Sequence, residues 1–323
     1  MSRSRRLAPV ALAEIDLRRV PESPERLGDA VAVEALVCRD GEPVGWVRLP
    51  VTDGQCSSAM IRAVLDRLTF PPPRTAAPAP GLSVTVAICT RDRTEDLAIC
   101  LDSLDRVDYE DFEIVVVDNA PASDATRLLV ERRGGRVRYV REPRPGLDWA
   151  RNRAIAEATG EVVAFADDDV TVDPGWLHAL AAAFGTDEAV AAVTGLVLPA
   201  ELQTEAQVLF ERYRSFARGF TPRRVAPEGA GPLASRYGAA GDYGTGANMA
   251  FRRSLFTRIG AFDPALDVGT PTRGGGDLDM FFRVLKEGHV LVYEPRAIEA
   301  NHQQFVEGTI VASREVRNLA LGG

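Results

Sequence analysis

The chain has 323 residues, of which 46% are hydrophobic and 26% charged, a composition typical of a soluble globular protein with one large domain or two unequal ones. The formal net charge is −8, with 46 acidic against 38 basic residues, which argues against a protein that coats nucleic acid. Four cysteines without a C-x-x-C pair disfavour a structural zinc site and suit reduced thiols. Since no apolar run reaches the roughly 18 residues of a membrane-spanning helix, we expect a cytoplasmic protein, with peripheral attachment to a membrane left open.

Residues 1–70 predict a small N-terminal α+β module. Two candidate strands, Ala30–Arg39 and Val44–Val51, are separated by a tight-turn pair, and apolar residues at helical spacing predict a helix over Ser57–Leu68. The proline-rich residues 71–81 predict an extended linker, because proline lacks the amide donor and restrains the residue before it.

Residues 82–305 predict an α/β domain in which strands and helices alternate, followed by a C-terminal tail over 306–323. The predicted strands are 83–89, 112–117, 137–140, 161–166, 190–198 and 290–293, and the predicted helices are 94–104, 124–133, 150–158, 176–184 and 278–286. Near-continuous apolar runs are typical of parallel strands that are buried on both faces. Alternation with short loops therefore indicates a mostly parallel sheet flanked by helices.

Polar clusters follow three of these strands directly: Thr90 to Asp92, Asp118-Asn119 and Asp167 to Asp169. In open α/β sheets the ligands bind beyond the carboxyl ends of the strands. We therefore expect the three clusters to line one ligand-binding edge.

Each cluster also has a simpler structural interpretation. Asp167 and Asp169 can present oxygens to one Mg²⁺ or Mn²⁺ ion, or they can form a solvated acidic turn. Asp118 can accept hydrogen bonds from a ribose or a base, or it can belong to a turn. Thr90-Arg91-Asp92 also reads as a helix start. The Walker-type phosphate loop G-x-x-x-x-G-K-[ST] is not present in the sequence.

Asp277 and Asp279 follow three glycines at the start of a predicted helix. Either they compensate the helix dipole and cap the helix, or flexible backbone holds a carboxylate as a general base near the ligand edge. His302, after the last predicted strand, is a metal or phosphate ligand or a packed surface histidine.

The segment from Leu82 to about His302 resembles the family 2 glycosyltransferases of the GT-A fold. The matching motifs are VAICTRDR (86–93), EIVVVDNAPASDAT (113–126), PGLDWARNRAI (145–155), GEVVAFADDDVTVDPGWL (160–177), GTGANMAFRRSLF (244–256), GAFDPAL (260–266) and GGGDLDMFFRVLKEGHVLVYEP (274–295). Each motif is weak alone, but their ordered occurrence over two thirds of the chain is specific.

The resemblance implies transfer of a sugar from a nucleotide-diphosphate-sugar donor, most simply a UDP-sugar, with inversion and with Mg²⁺ or Mn²⁺. It assigns Thr90, Arg91, Asp118, Arg151, Asn152, Asp167 and Asp168 to donor binding, Asp167, Asp169 and His302 to the metal, and Asp277 to the catalytic base. The family commonly has Glu-Asp at the base, whereas Gly276 precedes Asp277 here. This departure changes the expected acceptor pocket. The acceptor is a glycan, a lipid or a small molecule, and a homo-oligomer stays open.

Other function classes remain alternatives at this point. A nucleotidyltransferase that forms sugar nucleotides would share the sheet but would need a basic glycine-rich loop, which the sequence lacks. A non-catalytic nucleotide-sugar-binding protein, or a partner-docking protein that works through residues 1–70, would keep the GT-A fold without turnover.

Overall fold

A computed structural model describes residues 6–20, 25–74, 81–214, 216–227 and 240–302. The chain forms two compact units: the first comprises Met1–Pro73, Pro199–Ser215 and His302–Gly323, and the second comprises Arg74–Leu198 and Phe216–Asn301. The predicted tail over 306–323 lies outside the described residues, as do residues 75–80 of the predicted linker.

The described residues of the first unit form a three-stranded sheet, a two-stranded ribbon and two helices. Its elements are β1 (Val10–Asp16), β2 (Glu25–Arg26), β3 (Ala32–Arg39), β4 (Glu42–Pro50), β5 (Gln55–Cys56), α1 (Ser58–Leu65) and α6 (Glu205–Arg214). The sheet order is β1-β3-β4, with β1 parallel to β3 and β4 antiparallel to it. The predicted hairpin and helix are present, and β1 is an additional strand.

The first unit is not confined to the N-terminal residues, because a later segment completes one of its apolar clusters. Leu202 and Val208 pack with Ala8, Val10 and Ala32. The amide of Val10 also donates to the carbonyl of Leu202 at 2.8 Å. The boundary predicted at residue 70 therefore lies near the end of the first segment of this unit, and Pro199–Ser215 is a second segment of it.

The second unit is built around a large mixed sheet. Its strands are β6 (Val84–Thr90), β7 (Phe112–Asn119), β8 (Val137–Glu142), β9 (Val162–Asp167), β10 (Val170–Val172), β11 (Val190–Pro199), β12 (Arg223–Val225), β13 (Asn248–Arg252) and β14 (Val290–Asn301). Its helices are α2 (Thr94–Leu104), α3 (Ala125–Arg133), α4 (Leu147–Glu157), α5 (Trp176–Phe184), α7 (Leu255–Ile259), α8 (Gly276–Lys286) and a short 3₁₀ turn at Ala240–Asp242.

The sheet order is β10-β14-β11-β13-β9-β6-β7-β8, and β12 pairs with β14. Strands β9, β6, β7 and β8 are parallel, whereas β13 joins β9 in the antiparallel sense. Alternate residues of β6 enter different apolar clusters, Val86 and Ile88 in one and Ala87 in the other. The parallel strands are thus covered on both faces, which explains their continuous apolar sequences. The predicted α/β class is confirmed.

The described ranges contain no helix that is both long enough and apolar enough to cross a bilayer. None of the four cysteines, all of which lie in the described ranges, forms a disulfide; Cys38, Cys56 and Cys100 are buried. Burial raises the pKa of the Cys89 thiol to about 12. Burial also raises the pKa of the Cys56 and Cys100 thiols, so these three thiols are not activated nucleophiles.

Candidate active site

The predicted polar clusters lie side by side at one edge of the parallel sheet. In the strand register Thr90 pairs with Asp118 on β7, and Cys89 pairs with Asp167 on β9. Three strand ends therefore deliver acidic side chains to the same edge, as the sequence predicts. This is the edge at which open α/β sheets bind ligands.

Arg93, at the start of α2, organises the acidic turn. Its guanidinium donates to Asp168 Oδ1 at 2.9 Å and to Asp169 Oδ2 at 3.1 Å. The hydroxyl of Thr90 donates to Asp168 Oδ2 at 2.7 Å. Asp168 is buried and its carboxylate is fully engaged, so it ties β9 to β6 and α2. A role for Arg93 was not predicted from the sequence. The available signal was its place two residues after Arg91, which follows the end of a predicted strand.

Asp167 differs from its neighbours because its carboxylate accepts no hydrogen bond from the described residues, although its main-chain carbonyl accepts one from Cys100 Sγ at 3.5 Å. Burial, and then repulsion from Asp169, raise the pKa of Asp167 to about 7. An uncompensated carboxylate beside a second one is the environment that a cation relieves.

Two further polar groups come from β14, where the sequence predicted a strand that ends at Tyr293. Glu299 is fully buried and neither of its carboxylate oxygens has a partner in the described chain. Burial, with repulsion from Asp167 and Asp169, raises its pKa well above the usual value. Asn301 donates to Asp169 Oδ1 at 3.4 Å. Neither residue was predicted as a site residue from the sequence. The signal that could have found them is the alternation of the polar residues Glu299 and Asn301 with alanine at the end of the strand.

The side chains at this edge suit a hard divalent ion as ligands, because the atoms without hydrogen bonds in the described chain include carboxylate oxygens of Asp167 and Glu299 and the amide oxygen of Asn301. Across the described residues, however, no three His, Cys, Asp or Glu side chains converge as a preformed metal site. Asp169 is held by Arg93 instead. Asp167 and Asp169 therefore fit a Mg²⁺ or Mn²⁺ site in chemistry, and ligand binding would have to complete the coordination shell.

Glu299 leads to a prediction about the metal-free protein. Because burial raises the pKa of this carboxyl, its contribution to stability is present below about pH 4.5 and is lost as the pH rises through the folded pKa. Glu299→Gln removes the titration, so we expect the variant to exceed wild type in unfolding free energy at pH 8 by on the order of 1–3 kcal/mol. The difference should shrink at pH 5.

Urea unfolding in EDTA measures this difference, with Glu142→Gln as the matched control. Glu142 is also a buried strand carboxylate, but Arg144 donates to it at 2.8 Å and its pKa is lowered. Glu142→Gln should therefore be destabilising at pH 8. A Glu299→Gln protein that is less stable than wild type at pH 8 would contradict the prediction.

Asp118 is the second acidic group of the edge. It is fully buried, its Oδ2 accepts from the hydroxyl of Tyr139 at 3.0 Å, and its Oδ1 has no partner within the described residues. Burial raises its pKa. The neighbouring Arg91 is exposed and lies 3.9 Å from Asp92. Asp118 thus has a free acceptor.

Arg151 and Asn152, predicted near the nucleoside, are both engaged within the protein. Arg151 donates to Asp148 Oδ1 at 2.9 Å and to Asp267 Oδ2 at 2.6 Å. The amide of Asn152 donates one hydrogen bond to the main chain of Phe262 and accepts another from it, both at 2.8 Å. These contacts hold α4 to the segment before α8. Direct binding of the nucleotide-sugar by Arg151 or Asn152 stays a prediction, and the geometry does not favour it because both side chains bind other parts of the protein.

Asp277 lies in the first turn of α8. Its Oδ2 accepts from the amide of Gly246 at 2.7 Å and its Oδ1 from the amide of Leu278 at 2.9 Å. The helix begins at Gly276 with Gly275 as the N-cap, so Asp277 does not cap it. Asp279 pairs with Arg283 at 2.8 Å. The two candidate carboxylates therefore have different roles.

His302 directly follows β14 and is the last described residue. Its role as a metal ligand stays a prediction.

Comparison with known proteins decides the family. Residues 85–260, more than half of the chain, match the model of glycosyl transferase family 2. The chain belongs to this family. Among its relatives, the pre-mycofactocin glycosyltransferase of Mycobacterium tuberculosis is 29% identical over 274 residues, which are 84% of this chain and 52% of that protein. The glucosyl-dolichyl phosphate glucuronosyltransferase of Haloferax volcanii is 25% identical over 190 residues, 56% of each chain.

The fold of this family 2 member agrees with solved structures. The mannosyltransferase PcManGT from Pyrobaculum calidifontis, in complex with GDP-Man and Mn²⁺, superposes with a TM-score of 0.52 at 22% identity, covering 76% of this chain and 64% of that one. The second unit therefore has the GT-A fold. The chain spans about half the length of the curated relatives it matches.

Proposed function

We propose that this protein is a glycosyltransferase that moves a sugar from a nucleotide-diphosphate-sugar to an acceptor hydroxyl, with inversion and with the help of a divalent cation. The observation that carries the proposal is the pair of carboxylates Asp118 on β7 and Asp167 on β9, at the ends of the two strands that flank β6, in a chain of glycosyl transferase family 2. The complex of PcManGT with GDP-Man and Mn²⁺ supports this choice of donor and ion.

The nucleoside would be held at the end of β7. Asp118 Oδ1 is an unpaired acceptor in a buried position, so a ribose hydroxyl or a base N–H that donates to it would satisfy the group. Thr90 and Arg91 follow the neighbouring strand. We expect a UDP-sugar first, and a GDP-sugar is the competing donor.

The diphosphate would lie beyond β9. Asp167 and Asp169 would hold Mg²⁺ or Mn²⁺, with His302 as a further predicted ligand; when bound, the ion offsets the charge that develops on the leaving diphosphate. Asp168 and Arg93 keep the acidic turn in place through their 2.9 Å contact. Asp167 takes no part in this contact; an opposing charge acts on it from Arg151.

Asp277 would accept the proton of the acceptor hydroxyl. The backbone amides of Gly246 and Leu278 donate to its two oxygens, which fixes the orientation of the carboxylate. As the acceptor oxygen attacks the anomeric carbon, the proton passes to Asp277 and the nucleotide diphosphate leaves from the opposite face. Inversion follows from this single displacement, with no covalent sugar–enzyme bond.

A panel of UDP- and GDP-sugars tests the proposal by thermal shift, with Mn²⁺ or with EDTA. At 100 times its dissociation constant a ligand adds about 2.7 kcal/mol to the unfolding free energy. We expect one donor to raise the melting temperature by several degrees with Mn²⁺ and to be hydrolysed slowly without acceptor. Binding without turnover, with any glycan, lipid or small-molecule acceptor, would indicate the non-catalytic alternative.

The N-terminal residues are expected to lie outside the chemistry. Removal of residues 1–73 would expose Leu202 and Val208, which pack with Ala8, Val10 and Ala32. A truncated chain with Leu202→Ser and Val208→Ser should therefore stay folded better than the simple truncation. We expect it to bind the donor within about threefold of the full chain, measured by calorimetry. Loss of donor binding in this folded variant would show that residues 1–73 contribute to the site.

A further inference from the structure

Gly276, the residue before the proposed base, has no side chain, and the carboxylates of Asp148 and Asp267 occupy the space that a side chain there would fill. A Cβ atom at Gly276 would lie 2.3 Å from Asp148 Oδ2 and 2.8 Å from Asp267 Oδ2. Gly276 lies within α8, whose backbone accepts any L residue. It is the space beside Gly276, and not the backbone conformation, that excludes a side chain.

These two carboxylates share one buried cation. Arg151 Nη1 bonds to Asp148 Oδ1 at 2.9 Å and to Asp267 Oδ2 at 2.6 Å. All three side chains are at least nine-tenths buried. The cluster therefore carries an excess negative charge in a site of low polarity. Asp148 Oδ2, the atom that faces Gly276, is buried and has no partner within the described chain.

The cluster lies directly behind Asp277, with Gly246 between them. The amide of Gly246 donates to Asp277 Oδ2 at 2.7 Å. A Cβ atom at Gly246 would lie 3.0 Å from Arg151 Nη2 and 3.1 Å from Asp277 Oδ2. Arg151 and Asp277 thus approach one another across a residue without a side chain, and the charge of the cluster acts on the carboxylate of Asp277.

We propose that Asp148 is a positioning residue that stands in the place of a side chain at 276, shares Arg151 with Asp267 and thereby limits the positive charge that acts on the carboxylate of Asp277. The inference rests on the proposed role of Asp277 as the proton acceptor. Without Asp148, Arg151 would keep more of its positive charge and would favour the ionised form of Asp277, which makes a weaker base. Burial raises the pKa of Asp148 to about 6, so it is ionised at neutral pH and can act in this way.

The charged groups around Asp277 come from several elements. They are Asp148 and Arg151 on α4, Asp267 before α8, Asp167 at the end of β9, which interacts with the same arginine, and Arg218 after α6. Among them Asp148 is the carboxylate that has a free oxygen beside Gly276. A change at Asp148 therefore alters the charge near Asp277 without removing a hydrogen bond from Asp277 itself.

The test is the pKa of Asp277 itself, read by NMR in full-length protein with ¹³C-labelled aspartate and assigned from the signal that disappears in Asp277→Asn. In Asp148→Asn, which keeps the shape of the side chain, we expect this pKa to fall by about 1. The double variant Asp148→Ala with Gly276→Asp moves the carboxylate to α8, and we expect it to restore most of the wild-type pKa. Gly276→Asp alone places two carboxylates in one space and should lower the melting temperature.

Gly274→Asp is the matched control, because a Cβ atom there would meet nothing within 4 Å. It adds the same charge two residues away and should leave both the pKa of Asp277 and the melting temperature unchanged. A folded Asp148→Asn protein in which the pKa of Asp277 is unchanged would overturn the inference and would leave Asp148 with a purely structural role. Full turnover in Asp277→Asn would instead overturn the proposed base, whatever the Asp148 variants do.

Discussion

Asp277→Asn is expected to lower the rate of sugar transfer by at least about 10²-fold while leaving donor binding intact. An amide cannot take the proton of the acceptor hydroxyl, and the loss of a general base typically costs 10²- to 10⁴-fold in rate. The structure adds a small stability cost. The side chain accepts from the amides of Gly246 and Leu278, and the NH₂ group of Asn cannot accept. We expect about 1 kcal/mol of destabilisation.

Asp279→Asn is the control for this experiment. It makes the same chemical change in the same helical turn, but it affects an ion pair with Arg283 and not the two backbone amides. Turnover should stay near wild type, whereas melting temperatures of the two variants should be similar. If Asp277→Asn keeps its turnover with the true acceptor and Asp279→Asn loses it, the base is Asp279.

Asp169→Ala is expected to weaken the binding of UDP or GDP in the presence of Mn²⁺ by at least about tenfold. Asp167 and Asp169 are close carboxylates whose mutual repulsion contributes to the raised pKa of Asp167, and a divalent ion would relieve it. In EDTA the wild-type protein and the variant should bind the nucleotide equally weakly. Calorimetry with and without Mn²⁺ measures both differences.

Asp169→Ala also removes a hydrogen bond from Arg93. A matched variant separates this loss from the loss of a metal ligand. Asp96 accepts from the same guanidinium at 3.0 Å but lies on α2 and does not belong to the acidic turn. Asp96→Ala should therefore leave the Mn²⁺ dependence unchanged. An equal loss of affinity in both variants would assign the effect to Arg93 and not to the metal. Equal wild-type affinity with Mn²⁺ and with EDTA would remove the metal role altogether.

Helices and strands with strong local patterns were predicted with the same bounds as in the structure or with bounds that differ by one or two residues. Helices α2 and α5 begin and end at the predicted residues. Strands β6, β7 and β9 were predicted within two residues at either end, since their continuous apolar runs reflect burial on both faces. The strand-end clusters followed from this alternation, because parallel strands bring their carboxyl ends to one edge.

The sequence alone therefore determined the α/β class and the acidic residues that meet at one edge of the sheet, because these depend on periodicity along short stretches of chain. What those residues contact was decided by tertiary structure. Arg151 meets Asp267 from 116 positions away, and Arg93 meets Asp169 from 76 positions away. Glu299 is buried because β14 continues to Asn301 and pairs with β10. Partners so distant leave no local pattern, so the charge balance behind Asp277 and beside Asp167 exists only once the chain has folded.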